Sequence, residues 1–270
     1  MTDEPLAADG GRTGIDRSVP NSARIWNYWL GGQDYYEVDR VAGDAYREMF
    51  PGIELLARAS RGFLVRSVRY LAEEAGIRQF LDIGTGLPTA DNTHQVAQRA
   101  APESRVVYVD NDPLVLAHAR ALLTSTPEGA TDYVDADLRN PDTILAEAAR
   151  TLDLDRPVGV ILSGTLGHIP DYGEARSIVR RLMDALPSGS HLSLNDGADT
   201  QPAANEAQER YNASGAVPYV LRPVEWIAGF FDGLELVEPG LVPCPRWRPD
   251  REPSGDPAEE VNFGAVGRKP

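Results

Sequence analysis

An α/β fold is predicted for this 270-residue chain, a doubly wound parallel sheet with helices on both faces behind a helical N-terminal cap. Two observations predict it. From residue 78 onward short apolar runs alternate with single helical segments, and strands separated by one helix need crossovers, which produce parallel pairing. Four of those runs then end on Asp, Gly or Ser, as expected where strands deliver polar groups to one edge of an open sheet.

The elements follow in order. Residues 1–16 are rich in Gly, Asp and Thr without an apolar period and read as a disordered tail. Residues 17–52 read as the cap: NSARIWNYWLGGQDYYEVDRVAGDAYREMF gives two helices broken at Gly31-Gly32 and gathers Trp26, Tyr28, Trp29, Tyr35, Tyr36 and Tyr46. A long helix is predicted from Ile53 to Ala75, because Phe63, Leu64, Val68, Leu71, Ala72 and Ala75 recur at helical spacing and Gly76 is placed to end it. RQFLDIG, SRVVYVD, TDYVDAD and VGVILSG are the first four strands, and the helices between them are expected after Pro88, from Pro113 to Leu123, and from Thr143 to Arg150. Ala175, Ile178, Val179, Leu182, Met183 and Leu186 form one apolar helical stripe that Pro187-Ser188-Gly189 closes. SHLSLND follows as a fifth strand, then a polar stretch, a helix in VEWIAGFF, a strand in LELVEPGLV, the Pro-rich loop CPRWRPDREPSGDP and a last strand in VNFGAVGRK. No change of composition divides residues 53–270, so cap and core are read as one structural domain.

Composition narrows the function. The 41 acids against 26 bases give a net charge of −15, which repels phosphate backbones and anionic lipid surfaces, so a small-molecule partner is expected rather than nucleic acid or membrane. The chain has no apolar run of the ~18 residues that crossing a bilayer takes, and its acidic start has no hydrophobic signal core; a cytoplasmic location is expected. Cys244 stands alone and the four histidines, His94, His118, His168 and His191, have no metal-ligand spacing.

The strand ends carry the chemistry. Gly84 and Gly86 let the backbone turn with positive φ and approach a ligand closely, and the helix behind them presents free N–H groups, the arrangement that holds the nucleotide end of a cofactor. Asp110 lies 24 residues beyond Gly86, at the tip of the next strand, where a carboxylate can accept from both hydroxyls of a ribose. Asp112 is a natural N-cap ahead of Pro113, and this fixes the strand end near Asp110. Asp137, one strand further out, is placed to accept from an adenine amino group. A nicotinamide-dependent oxidoreductase would use similar parts, but its third glycine is replaced by Thr89, and Lys269, the sole lysine, leaves no Tyr-x-x-x-Lys pair.

FLDIGTGLPT, VVYVDNDPLVLAHARALL and YVDADLRNP resemble the first three motifs of the class I S-adenosylmethionine-dependent methyltransferases. PNSARIWNYWLGGQDYYEVDR and FFDGLELVEPGLVP resemble, more narrowly, an actinobacterial methyltransferase-like family that shares an Ala-Arg-x-x-(Asn/Asp)-Tyr-x-Leu-Gly-Gly segment. The resemblance implies a Rossmann-like, seven-stranded, mostly parallel sheet whose last strand, VNFGAVGRK, inserts antiparallel beside the fifth. It implies S-adenosylmethionine as cofactor, with Asp82, Gly84, Thr85 and Gly86 around its methionine and ribose, Asp110 and Asn111 at the ribose, Asp137 and Leu138 at the adenine, and Ser163 near the sulfonium. Leu87-Pro88-Thr89 replaces the third glycine of the general pattern, and Pro88 is expected to be the first residue of the next helix.

For the acceptor, His168 in SGTLGHIPDYG is the candidate general base, since it follows the fourth strand and a loop histidine titrates near neutrality. Tyr28, Trp29, Asp34, Tyr35, Tyr172, Asp196 and Tyr211 are expected to line the acceptor cavity. Methyl transfer is an in-line displacement that gains much from positioning, so a protein that binds the cofactor without transferring its methyl is the alternative reading.

Overall fold

The structure, a computed structural model, describes residues 16–122, 124–251, 255–256 and 260–270. The expected tail, 1–16, lies outside them but for Asp16, as does Leu123 at the end of its expected helix. The cap folds as α1 (Ser22–Trp29) and α2 (Glu37–Met49), and Gly31 takes φ +84° where the chain turns between them. Asn21 caps α1 through the Arg24 N–H, and the buried Asp39 of α2 accepts from Arg24 Nε at 2.7 Å and from the Asn21 N–H at 2.9 Å. A charge pair with both partners out of water holds only when its remaining groups are satisfied, and here Arg24 Nη2 also reaches the Val19 carbonyl at 2.7 Å.

α3 (Ile53–Glu73) runs the length of the core. After it come β1 (Gln79–Ile83), α4 (Thr93–Ala100), β2 (Arg105–Asp110), α5 (Pro113–Leu122), β3 (Ala130–Asp135), α6 (Pro141–Ala148), β4 (Gly159–Ser163), α7 (Tyr172–Asp184) and β5 (His191–Gly197). α8 (Pro202–Asn212), α9 (Val224–Ala228), β6 (Glu235–Leu236), β7 (Val242–Pro243) and β8 (Asn262–Arg268) complete the chain. The sheet order is β3-β2-β1-β4-β5-β8-β6, with β7 also on β8. β1 to β5 pair parallel, and β8 lies antiparallel beside β5 from His191↔Arg268 to Gly197↔Asn262. This is the Rossmann-like, mostly parallel sheet that the sequence predicts.

Phe63, Leu64, Val68 and Leu71 of α3 bury one face of the sheet against Phe80, Val106 and Ile161, while α6, α7 and α9 cover the other. Two serines sit in the buried stripe of α3. Each is answered from β5: Asn195 Nδ2 donates to Ser60 Oγ and Ser193 Oγ to Ser67 Oγ, both at 2.8 Å. No helix among the described residues is long and apolar enough to cross a membrane.

Several expectations are corrected. The helix after β1 starts at Thr93, not Pro88, because Asn92 forms its cap: the Gln95 side chain accepts the Asn92 N–H at 2.9 Å, and residues 84–92 are left as loop. LELVEPGLV is two two-residue strands rather than one, and Pro239 and Gly240, with φ +82° at the glycine, make the turn between them, so that β6 closes the seven-strand order and β7 pairs beside it on β8. VEWIAGFF is helical only to Ala228 and tightens to a 3₁₀ turn over Gly229–Phe231. The polar stretch after β5 contains α8, whose Ala204 and Ala207 pack under the cap.

Candidate active site

A cavity of about 340 Å³ opens at the carboxyl ends of β1 to β4, within the size range of small-molecule sites. It spans the point where the chain crosses from β1 outward to β2 on one side and β4 on the other. Its floor is the turn after β1. Gly84 has φ +74°, and a Cβ there would meet Thr165 Cγ2 at 2.4 Å and Oγ1 at 2.5 Å; Gly86 has φ +65°, and a Cβ there would enter open space. Gly84 is required by its neighbour, whereas Gly86 leaves its backbone bare toward the cavity. Gly84→Ala is therefore expected to cost about 2–4 kcal/mol, read as a fall in Tm, with partial recovery in Gly84→Ala/Thr165→Ala; an unchanged Tm would contradict the close contact.

Carboxylates converge above this turn. Asp110 accepts the Gly86 N–H at Oδ2 and the Asp112 N–H at Oδ1, each at 3.0 Å, which ties the β2 end to the glycine turn. Burial raises the Asp110 pKa, and those backbone donors oppose the rise. Asp112 caps α5 through the Leu114 N–H at 2.7 Å and accepts from Asn21 Nδ2 at 2.7 Å, a direct link from cap to strand end. Asp82 is buried and pushed up to about 6 by burial, against a 2.6 Å hydrogen bond from Thr93 Oγ1 and the nearby positive charge of Arg61. Thr85 Oγ1 donates to the Val109 carbonyl at 3.3 Å, and Asp137 accepts the Arg139 N–H at 2.8 Å. Asn111, Asp137, Leu138 and Ser163 all line the same cavity, and Ser163 Oγ donates to Asn195 Oδ1 at 2.8 Å.

The roof comes from the cap and from α8. Trp29 packs on Tyr46 with ring centroids 5.1 Å apart, Tyr46 on Tyr211 at 6.3 Å, and the Tyr46 hydroxyl reaches Gln208 Oε1 at 3.3 Å. The far wall is the segment around Val217 and Tyr219. His168 lies there: its Nδ1 is 2.9 Å from the Pro218 carbonyl, which makes Nδ1 the protonated nitrogen, and its ring meets Tyr219 edge-on at 5.1 Å. Burial lowers the His168 pKa, so the imidazole is neutral at pH 7.

Of the expected acceptor residues, Trp29 and Tyr211 line the cavity and Tyr28, Asp34, Tyr35, Tyr172 and Asp196 do not. Tyr28 turns away to donate to Asp44 Oδ1 at 2.6 Å, and Tyr35 meets its ring edge-on with centroids 4.9 Å apart. Asp34 sits 3.9 Å from His118 at the surface. Tyr172 opens α7 and donates to the Trp226 carbonyl at 2.8 Å. Asp196 lies beneath the wall, fully buried, paired with Arg222 and hydrogen-bonded by Tyr219. Sequence reasoning missed Arg61, which lines the cavity from α3, holds the loop carbonyls of Ala90 and Asp91 at 3.0 and 2.9 Å, and has a buried Nε without a partner among the described residues. Its one signal was Ser60-Arg61 interrupting an apolar stripe. Tyr219 and Gln208 had none, since each sits in a stretch without apolar period.

Comparison with known proteins bears on this geometry. A family model described as S-adenosyl methyltransferase matches residues 8–270. The fold is similar to that of a DUF574-family protein from Streptomyces avermitilis, 47% identical, with a TM-score of 0.91 over 94% of this chain and 99% of that one. It is also similar to a candidate methyltransferase from Thermobifida fusca, 40% identical, with a TM-score of 0.88 over 97% of this chain and 99% of that one. Among curated proteins, the trans-aconitate 2-methyltransferase of Escherichia coli O9:H4 is 29% identical over 124 residues, which is 46% of this chain and 37% of that relative.

Proposed function

The chain belongs to the S-adenosyl methyltransferase family, and from that premise we propose that it transfers a methyl group to a small-molecule acceptor with an apolar, planar body. Its cofactor is S-adenosylmethionine. The observation that carries the reading is a single cavity walled by the Gly84–Gly86 turn, Asp110 and Asp137 on one side and by Trp29, Tyr211 and His168 on the other. The residues suit the cofactor: bare backbone at Gly86, an Arg61 Nε without a partner among the described residues and three carboxylates at successive strand ends.

In this reading Asp110, with Asn111, accepts from the ribose hydroxyls, and Asp137 with Leu138 borders the adenine. Asp82, Gly84, Thr85 and Gly86 surround the ribose and the amino acid end, where Arg61 answers the carboxylate and Asp82 the ammonium. Ser163 borders the sulfonium, which, when bound, supplies an electrophilic methyl and leaves as a thioether. The cap, 17–52, and the core, 53–270, act as one structural domain, because the roof over the reacting atoms comes from the cap. The aromatic faces of Trp29 and Tyr211 exclude water and accommodate a planar acceptor. His168, neutral and held through Nδ1, offers Nε2 to take a proton from an acceptor that must lose one.

Calorimetric titration with S-adenosylmethionine, S-adenosylhomocysteine and NAD tests the cofactor half, and a preference for NAD would end the reading. An acceptor screen that reads S-adenosylhomocysteine release tests the other half. His168→Gln is expected to slow the transfer found there by about 10²–10⁴-fold while leaving S-adenosylhomocysteine affinity unchanged. Because burial lowers the His168 pKa, the rate is expected to fall only on acidification below the ordinary histidine range.

Cofactor affinity has its own pH dependence. Asp82 in the free protein protonates as pH falls through about 6, and a cationic ligand favours the carboxylate. Affinity for S-adenosylmethionine is thus expected to be constant above pH 7 and to drop toward tenfold per unit below 6, with proton release on binding near pH 6. Asp82→Asn should bind more weakly and flatten that profile; a flat wild-type profile would remove Asp82 from the ammonium.

A further inference from the structure

At the edge of the sheet opposite the cofactor cavity, a second cleft of about 350 Å³ opens where β1 and β5 begin and β8 ends. Arg78, Arg156, Arg268 and His191 line it. The sheet register itself assembles them: His191, the first residue of β5, pairs with Arg268 across the antiparallel ladder, Arg78 leads into β1, and Arg156 precedes β4. Three guanidinium groups thus border one cleft in a chain of net charge −15, beside an imidazole whose pKa burial lowers.

Two features distinguish the cleft from a solvated basic patch. His191 is only 4% exposed, and its Nδ1 has no hydrogen-bond partner among the described residues, a cost that a native core seldom leaves unanswered. Arg156 is exposed and has no ion-pair partner among the described residues. The ion pairs of the other two arginines lie at the surface. Arg78 Nε meets Glu103 at 2.7 Å and Arg268 Nη1 meets Glu235 at 2.9 Å, but these carboxylates are 57% and 62% exposed, and such surface pairs contribute little and exchange readily. Arg78 is also fixed in place, because Nη1 donates to the Ala72 and Ile77 carbonyls at the end of α3, at 2.8 and 3.0 Å.

We propose that this cleft binds the phosphoryl group of a small phosphorylated metabolite, at a site separate from the cofactor. One guanidinium already saturates a planar carboxylate in the two-pronged mode. Three arginines and an imidazole that border one cleft from four backbone segments match an oxyanion with oxygens in several directions. The volume exceeds that of a bare phosphate, so an organic substituent fits beside it. Long nucleic acid and anionic membrane are disfavoured by the charge of the rest of the surface.

The test is calorimetric titration of pyrophosphate into the full chain saturated with S-adenosylhomocysteine, which keeps the cofactor cavity filled; should that compound not bind, the same titration proceeds without it, so the two readings fail separately. The expected result is one site per chain, weakened about tenfold by Arg156→Ala and tightened by Glu235→Gln, which frees Arg268. Arg156 is exposed and has no side-chain partner among the described residues, so its loss leaves the fold intact. Adenosine 5′-monophosphate and glucose 6-phosphate, titrated in parallel, distinguish a nucleotide from a sugar phosphate. Binding that Arg156→Ala and Arg156→Ala/Arg78→Ala leave unchanged, or no heat at millimolar pyrophosphate, overturns the proposal.

Discussion

Arg222→Met is expected to lower the stability of the protein by about 3–5 kcal/mol, measured by urea unfolding at pH 7. Arg222 and Asp196 are 1% and 0% exposed, with Nη1 3.0 Å from Oδ2. Arg222 Nη2 also donates to the Ile169 carbonyl, and the Tyr219 hydroxyl donates to the other Asp196 oxygen. Removing the guanidinium leaves a carboxylate in the interior that only the Tyr219 hydroxyl and the Gly197 and Gly167 backbone N–H groups answer. Burial already raises the Asp196 pKa against the opposing charge of Arg222, and without that charge the rise is larger. The folded state of the variant then binds a proton that the unfolded chain releases above the ordinary carboxylate range, so its deficit should shrink as pH falls toward that range. Asp196→Asn/Arg222→Met should recover much of the loss at pH 7. A single-variant loss under 1 kcal/mol would show that water reaches the pair.

Asp110→Ala is expected to weaken S-adenosylhomocysteine binding about a hundredfold by calorimetry, while the Tm of the ligand-free protein moves by a few degrees at most. The carboxylate carries two kinds of work. It accepts the Gly86 and Asp112 N–H groups, which shapes the turn, and in the proposed reading it offers its remaining lone pairs to the ribose. Charge-assisted hydrogen bonds of this kind contribute about 1.5–3 kcal/mol each, so losing the ligand's share alone spans the predicted range. Stability changes little because burial disfavours the ionised form in the ligand-free protein. Asp110→Asn, which keeps an acceptor for one N–H, should fall between the two. Wild-type affinity in Asp110→Ala would move the ribose elsewhere and end the assignment of the β2 end.

The parallel core was legible because its signal is local: a buried strand is a short apolar run, and each run from β1 to β4 stops where polar groups emerge at the sheet edge. The same locality placed Gly84, Asp110 and Asp137 at one end of the sheet, since strands running parallel must deliver their last residues to the same side. What escaped depends on contacts distant in sequence. Tyr28 and Trp29 are neighbours, yet one faces Asp44 and the other the cavity, and only the helix rotation set by α2 and α8 distinguishes them. Pro88 is a good first residue for a helix, but Asn92 and Gln95 form a better start five residues on. α8 carries a narrow stripe of alanines and so shows little periodicity, although its small residues are what let the cap approach. Trp247 lies within a Pro-rich loop and is nonetheless fully buried, edge-on to Phe63 and Tyr70.

The position of β8 has a consequence for synthesis. β8 is made after β1 to β7, yet it sits inside the sheet between β5 and β6, and Asn262 at its start both lines the cavity and accepts from Asn195 Nδ2 at 3.0 Å. A nascent chain on the ribosome can therefore pair β1 through β5 early but has an open β5 edge and an incomplete cavity wall until its last strand has emerged. The cavity is thus walled on that side only in chains that extend through β8.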